Sequence, residues 1–157
     1  MKLVQAKVWN KGGYLPEQVH KSDVGYDLRC SEDLVIEAGE YYMLPLDIVV
    51  KPPEGYHFEV VPRSSTFKKH GILLVNSVGI IDPSYSGEND TLAALIYRPS
   101  DVMSMDGIKD RSKRKIISKG TRLFQIIPRK TVYVEWVDMT DSPIEDEDRG
   151  GIGSTGE

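Results

Sequence analysis

The last nine residues of the chain, 149–157, combine groups that suit phosphate binding. They include four glycines, one arginine, one serine and one threonine. Glycine lets backbone N–H groups approach a ligand closely, hydroxyls donate hydrogen bonds, and a guanidinium binds two oxygens at once. The segment has too little apolar surface to order itself. It predicts a flexible arm that orders over a polyphosphate, with a solvated tail as the alternative, since chain termini are usually mobile.

Four internal segments, 23–28, 61–65, 76–88 and 120–128, carry further polar groups, and each has two interpretations. Asp27, two residues after a glycine, predicts either a metal or water ligand or an Asx-type turn. Arg63, followed by two serines, predicts an anion-binding loop or a helix cap. The third segment predicts a β-hairpin, either one that holds a planar base or an ordinary one. The fourth predicts a strand in which one arginine and one glutamine lie among apolar neighbours.

The composition argues against several classes of protein. A net charge of -4 disfavours nucleic-acid binding, which normally requires a basic surface. The single cysteine, Cys30, excludes an internal disulfide and gives no zinc site. No apolar run approaches the length of a membrane span, and the first residues do not resemble a signal peptide. We therefore expect a cytoplasmic protein that binds neither nucleic acid nor membrane.

Short segments of alternating polarity, separated by glycine and proline turns, predict an all-β fold. One short helical turn is expected over residues 64–69, because a hydroxyl at 64, 65 or 66 could cap it. Many short strands at intervals of about ten residues favour a sandwich, a barrel or a jelly roll. The expected strands include 3–9, 34–36, 41–44, 48–50, 57–61 and 131–137.

Two segments break the strand pattern. Segment 99–119 is polar and basic, which predicts a solvated hairpin or loop, or else a basic patch for phosphate or a protein partner. Segment 138–148 contains six carboxylates and predicts an extended acidic linker. We accordingly expect a β-barrel core over residues 1–137, with the linker and the C-terminal arm over 138–157.

Taken in order, these segments resemble the five motifs of the homotrimeric deoxyuridine triphosphatase (dUTPase) family. The matching segments, from motif one to motif five, are 24–28, 62–65, 79–88, 120–125 and 149–156. The resemblance spans nearly the whole chain. It implies a jelly-roll-like β-barrel, a homotrimer with a swapped C-terminal arm, and three sites at the subunit boundaries. The implied activity is Mg²⁺-dependent hydrolysis of dUTP to dUMP and pyrophosphate, which keeps uracil out of DNA and supplies dUMP for thymidylate synthesis.

The resemblance also implies roles for the matched residues. Asp82 would be the general base that polarises the attacking water, and Ser64 would donate to the bridging oxygen of the leaving group. Asp27 would hold hydrated Mg²⁺ through water. Tyr85 would lie against the sugar and exclude a 2′-hydroxyl. The other residues expected to bind substrate are Arg63, Ser65, Asn76, Gly79, Ile81, Gln125, Arg149, Ile152, Gly153, Ser154 and Thr155.

The arm departs from the family pattern at Ile152, where the family usually has a phenylalanine that stacks on uracil. Either the lid is weaker, or another aromatic takes its place. In this the chain resembles the dUTPases of some Gram-positive bacteria and their phages. Two rival functions remain open. A dCTP deaminase of the same fold would need a glutamate on segment 91–95, which has no carboxylate. A nucleotide-regulated binding protein would contact a partner through segment 99–119.

Overall fold

The structure, a computed structural model, describes residues 3–100, 102–103, 109–110 and 114–141. Within these ranges the chain forms short strands and one short helix, α1 (Thr66–His70). The strands are β1 (Lys7–Asn10), β2 (Tyr26–Arg29), β3 (Leu34–Glu37), β4 (Tyr41–Pro45), β5 (Ile48–Lys51), β6 (Tyr56–Pro62), β7 (Leu73–Leu74), β8 (Gly79–Ile81), β9 (Ala93–Tyr97), β10 (Val102–Met103), β11 (Lys109–Asp110), β12 (Arg114–Ile117) and β13 (Arg122–Lys130).

The strand pairs are antiparallel, and three of them are nested along the sequence. Strand β2 pairs with β13, β3 with β12 and β4 with β9, so each pair encloses the next. Such nesting is what a long hairpin gives when it is rolled up, and it agrees with the expected jelly-roll-like fold. The sheet that matters most for the candidate site has the order β2-β13-β6-β8.

The core is formed by the inward-facing side chains of these strands. In β13, Leu123, Phe124 and Ile126 are almost fully buried, whereas Gln125 is only partly buried. In β5 the residues Ile48–Val50 are all buried, so that strand has no solvent-facing side until Lys51. The all-β expectation is confirmed. The short helix is also present. It begins at Thr66 and ends at His70, and the next residue, Gly71, adopts the left-handed conformation that favours glycine.

The strand expected at 131–137 is absent, and the reason is local. Strand β13 pairs with β6 as far as Lys130, which lies opposite Tyr56, the first residue of β6. One more backbone hydrogen bond, from Thr131 N–H to the Gly55 carbonyl, ends the pairing. Beyond it the alternation continues without a partner strand. The large side chains Tyr133 and Trp136 are 78% and 90% exposed.

Segment 99–119 also differs from a simple solvated loop. Its residues Arg114–Ile117 form β12, which pairs with β3, and Ile117 is buried in the core. Strands β10 and β11 pair with each other within the same segment.

The described part of the chain contains no helix that is long and apolar enough to cross a membrane.

Candidate active site

Three of the motif-bearing segments meet in one cleft. Strand β13 lies between β2 and β6, and its register places Gln125 opposite both Asp27 and Val61. Ser64 follows the end of β6 and so lies at the same end of the sheet. The cleft is lined by Val19, His20, Asp23, Val24, Gly25, Asp27, Arg63, Ser64, Gln125 and Ile127.

Asp27 is the buried charge of this cleft, with 6% of its surface exposed. Its Oδ1 accepts an ion pair from Arg63 Nε at 2.8 Å, and its Oδ2 accepts one from Arg122 Nη1 at 3.1 Å. A buried carboxylate is costly unless it is paired in this way. The pairing fixes both the orientation of Asp27 and the position of Arg63 at the mouth of the cleft. Arg122 was not among the predicted site residues, because the contact joins strands 95 residues apart in the chain.

Gly25 and Gln125 are in close contact across the cleft. A Cβ placed on Gly25 would lie 2.9 Å from Gln125 Cδ and closer still to Gln125 Oε1. Glycine is needed here for space and not for an unusual φ, since Gly25 is not among the residues with positive φ. The glutamine amide therefore occupies volume that any other residue at 25 would fill.

The β-hairpin predicted over residues 76–88 does not form. Strand β8 pairs with β6, and residues 82–92 contain no strand that returns beside it, because the chain continues through turns to β9 in another sheet. Residues 76–88 are therefore one strand followed by turns, named here the β8 turn segment, and they line a second cleft. Asn76, Gly79, Ile81 and Tyr85 all border it. The turn is held by its own hydrogen bonds: Tyr85 N–H donates to the Asp82 carbonyl at 3.0 Å and Ser86 Oγ donates to the Pro83 carbonyl at 3.1 Å. These bonds hold the turn after β8.

Asp82 directly follows β8, on the side facing a third cleft. Its neighbours along that cleft include His57, Thr131 and Tyr133. His57 Nδ1 lies 3.0 Å from Thr131 Oγ1, so the ring is oriented by a hydroxyl. The Asp82 side chain is exposed and ready to hold water. His57 was not predicted, because a single histidine within a strand gives no local signal of function.

Asp82 is far from the cleft around Asp27 in the same chain. It follows Ile81, which pairs with Phe58 on β6, whereas Asp27 lies across β13 from Val61. The two carboxylates are thus three strands apart across the sheet and about four residues apart along it. With strand spacings of about 4.8 Å and a rise of about 3.3 Å per residue, their backbones are roughly 20 Å apart.

The described residues therefore bring together Asp27, Arg63, Ser64 and Gln125 in one cleft, and Asn76, Gly79, Ile81 and Tyr85 in a second. Asp82 faces a third. Ser65 precedes α1, and its side chain makes no capping hydrogen bond. The predicted residues Arg149, Ile152, Gly153, Ser154 and Thr155 lie outside the described residues.

The chain is similar to known proteins in sequence and in fold. The model of the dUTPase family matches residues 13–99. The SPbeta prophage-derived deoxyuridine 5'-triphosphate nucleotidohydrolase YosS of Bacillus subtilis is 37% identical over 149 residues, covering 91% of this chain and 94% of that protein.

Two solved structures are also similar. The Staphylococcus bacteriophage 80alpha dUTPase with dUPNHPP has a TM-score of 0.77 at 25% identity, covering 98% of this chain and 99% of that one. A point mutant of the dUTPase of phage phi11 of S. aureus, described with a structural Mg(II) ion, has a TM-score of 0.71 at 24% identity and covers 91% of this chain and 98% of that one. The chain belongs to the dUTPase family.

Proposed function

We propose that this protein hydrolyses dUTP to dUMP and pyrophosphate with Mg²⁺, at sites that homotrimer formation assembles from different chains. The observation that carries the proposal is the cleft in which Asp27, Arg63, Ser64 and Gln125 converge. A buried carboxylate, a guanidinium, a hydroxyl and an amide form a donor and acceptor set suited to a metal-bound polyphosphate. The activity would keep uracil out of DNA and supply dUMP for thymidylate synthesis.

The chemistry assigns each group a step. Asp82 accepts a proton from a water molecule as the water oxygen bonds to the α-phosphorus. The bond from that phosphorus to the bridging oxygen breaks, and pyrophosphate leaves. Ser64 donates a hydrogen bond where negative charge develops on the leaving group, and Gln125 positions the α-phosphate. Arg149, Ser154 and Thr155 of the arm hold the γ-phosphate.

Mg²⁺ fits the cleft as a hydrated ion. Each oxygen of Asp27 has one guanidinium partner, which leaves lone pairs free to accept hydrogen bonds from metal-bound water. The described residues contain no group of three His, Cys, Asp or Glu that could enclose a metal ion. An ion held mainly by phosphate oxygens and water does not need such a group. When bound, Mg²⁺ neutralises charge on the phosphates.

The β8 turn segment would determine the choice of base and sugar. Backbone groups between Gly79 and Tyr85 can pair with the edge of uracil, whereas cytosine presents the opposite donor and acceptor. An unpaired buried polar group is costly, so this arrangement discriminates strongly. Tyr85 Oη donates to the Thr91 carbonyl at 3.4 Å, which orients the ring beside the turn, where it would exclude a 2′-hydroxyl.

Two observations support assembly from several chains. Asp82 and the cleft around Ser64 are too far apart within one chain to act on one phosphorus, because general bases work at hydrogen-bond distance. In addition, segment 131–139 extends away from β13 with large apolar side chains exposed, and such a surface normally packs against a partner. A neighbouring copy that accepts this segment would also receive the linker and the C-terminal arm, which end at residue 157.

A second candidate function is partner binding controlled by nucleotide. The favouring observation is the paired β10 and β11, which add a hairpin between β9 and β12. The 80alpha phage dUTPase structure is described as part of a G protein-like control of gene transfer. A nucleotide-sensitive pull-down that is lost when segment 99–119 is shortened would support this candidate. Binding that persists after the shortening would contradict it.

The test of the main proposal is pyrophosphate release with Mg²⁺ from dUTP, dCTP, dTTP and UTP, each offered separately. We expect release from dUTP only, and loss of that release in Asp82→Asn. Ammonia release from dCTP would instead indicate a deaminase, although β9 has no carboxylate to support one. A folded, trimeric protein that releases pyrophosphate from no nucleotide would contradict the proposal.

A further inference from the structure

Thr66 is a buried polar residue outside the expected site, with 1% of its surface exposed. It begins α1, directly after the loop that carries Ser64. The N-cap position belongs to Ser65, and the Thr66 hydroxyl donates to the carbonyl of Leu123 on β13. A hydroxyl that is buried and committed to one acceptor holds two elements together.

The same carbonyl anchors the loop at a second point. Arg63 N–H donates to the Leu123 carbonyl at 3.0 Å. The two hydrogen bonds, from Arg63 and from Thr66, enclose Ser64 and Ser65 between them. The chain between them is further closed by Thr66 N–H, which donates to the Arg63 carbonyl at 2.9 Å. The loop is therefore a tight turn attached to one oxygen of β13.

Leu123 also lies at an irregularity of β13, on the side that faces β2. The register between β13 and β2 shifts between Arg122 and Phe124, which leaves Leu123 as the extra residue of a β-bulge. Bulges redirect backbone groups and are common beside active sites. On the other side of β13 the register with β6 is regular, so the Leu123 carbonyl continues that ladder to Arg63. The bulge lies toward β2, where Arg122 before it reaches Asp27 and Gln125 after it lines the cleft.

We infer that Thr66 is a positioning residue that holds the Ser64 hydroxyl in register with Asp27 and Gln125. The inference rests on the proposed hydrolysis of dUTP. Thr66 touches no reacting atom and acts through the Leu123 carbonyl. If Ser64 stabilises charge that develops only in the transition state, a looser loop lowers kcat and leaves KM nearly unchanged.

The test compares Thr66→Val, which keeps the shape and loses the hydroxyl, with Thr66→Ser, which keeps the hydroxyl. Because the Leu123 carbonyl keeps its bond from Arg63, the valine variant is expected to fold. We expect its kcat to fall about tenfold, with KM within about twofold of the original, since small misplacements of a catalytic group are costly. Thr66→Ser should retain most of the kcat.

Amide hydrogen exchange at Arg63 gives a readout that does not depend on activity, and it should be faster in Thr66→Val. Ile36→Val, a fully buried change on β3, controls for lost stability alone and should leave kcat unchanged. An unchanged kcat or an unchanged exchange rate at Arg63 in Thr66→Val would overturn this inference and leave the proposed function standing. Equal loss in Thr66→Ser or in Ile36→Val would do the same. A folded wild-type protein inactive on dUTP would instead overturn the proposed function, and this inference with it.

Discussion

Gly25→Ala should disable the enzyme while leaving it folded. The added Cβ would lie 2.9 Å from Gln125 Cδ, where ordinary contact begins at 3.4 Å. The carboxamide carbon must therefore move by about 0.5 Å, and Oε1, which is closer, must move farther. Gln125 Cβ, at 3.3 Å from the added atom, is only slightly too close, so most of the displacement falls on the flexible end of the glutamine and the backbone of β2 and β13 needs little change.

The effects on stability and on activity can be separated. An alanine in place of a glycine at an unstrained φ stabilises a protein by about 0.4–1 kcal/mol through the unfolded chain, which offsets the modest cost of moving one side chain. We expect the free energy of unfolding to stay within about 1 kcal/mol of the original. A misplacement of 1 Å can cost about a hundredfold in rate, so kcat for dUTP should fall about 10- to 100-fold.

The assay is pyrophosphate release together with urea unfolding, on Gly25→Ala, Gln125→Ala and the double variant. Since both changes act through the same amide, the double variant should be no slower than Gln125→Ala. Independent, multiplying losses would refute this reasoning, and so would a Gly25→Ala enzyme of normal activity.

Three further changes test other contacts. Tyr85→Ala should weaken the rejection of UTP, measured as the ratio of kcat/KM for dUTP and UTP; an unchanged ratio would count against the sugar contact. Arg122→Gln removes one partner of Asp27, but since the arginine side chain is 36% exposed the free energy of unfolding should fall only by about 1 kcal/mol in urea titrations. An unchanged urea midpoint would contradict this and show that Arg63 alone is enough to pair with Asp27. Burial, with Lys115 and Lys69, lowers the pKa of His70, so the folded state binds fewer protons than the unfolded state and stability should fall as pH drops below about 6.5. His70→Gln should flatten that slope in unfolding measurements between about pH 7.5 and pH 5, and an identical slope would exclude His70 as its source.

The sequence predicted those features that depend on local pattern. Strand alternation located most of the core strands, and the hydroxyls at 64–66 indicated the start of α1. The motif resemblance supplied Asp27, Ser64 and Gln125, which the structure then places in one cleft.

The features that the sequence did not predict depend on long-range pairing. Segment 131–137 alternates like a strand, but alternation does not reveal whether a partner strand exists, and β6 ends its pairing opposite Lys130. Arg114–Ile117 is half basic, so it resembled a loop until its pairing with β3 was known. Arg122 on β13 contacts Asp27 on β2, and Thr66 contacts Leu123 on β13. The local sequence gives no signal of either contact.

The most direct test of the central claim is subunit mixing of Asp82→Asn with Ser64→Ala. Each variant alone should be inactive in pyrophosphate release from dUTP. If Asp82 and Ser64 of one site come from different chains, trimers reassembled from equal amounts of both variants should regain about one quarter of wild-type activity. At random, about one site in four receives an intact Asp82 from one chain and an intact Ser64 from the other. If the mixture stays inactive while wild-type protein treated in the same way recovers, both residues act within one chain and the account is contradicted.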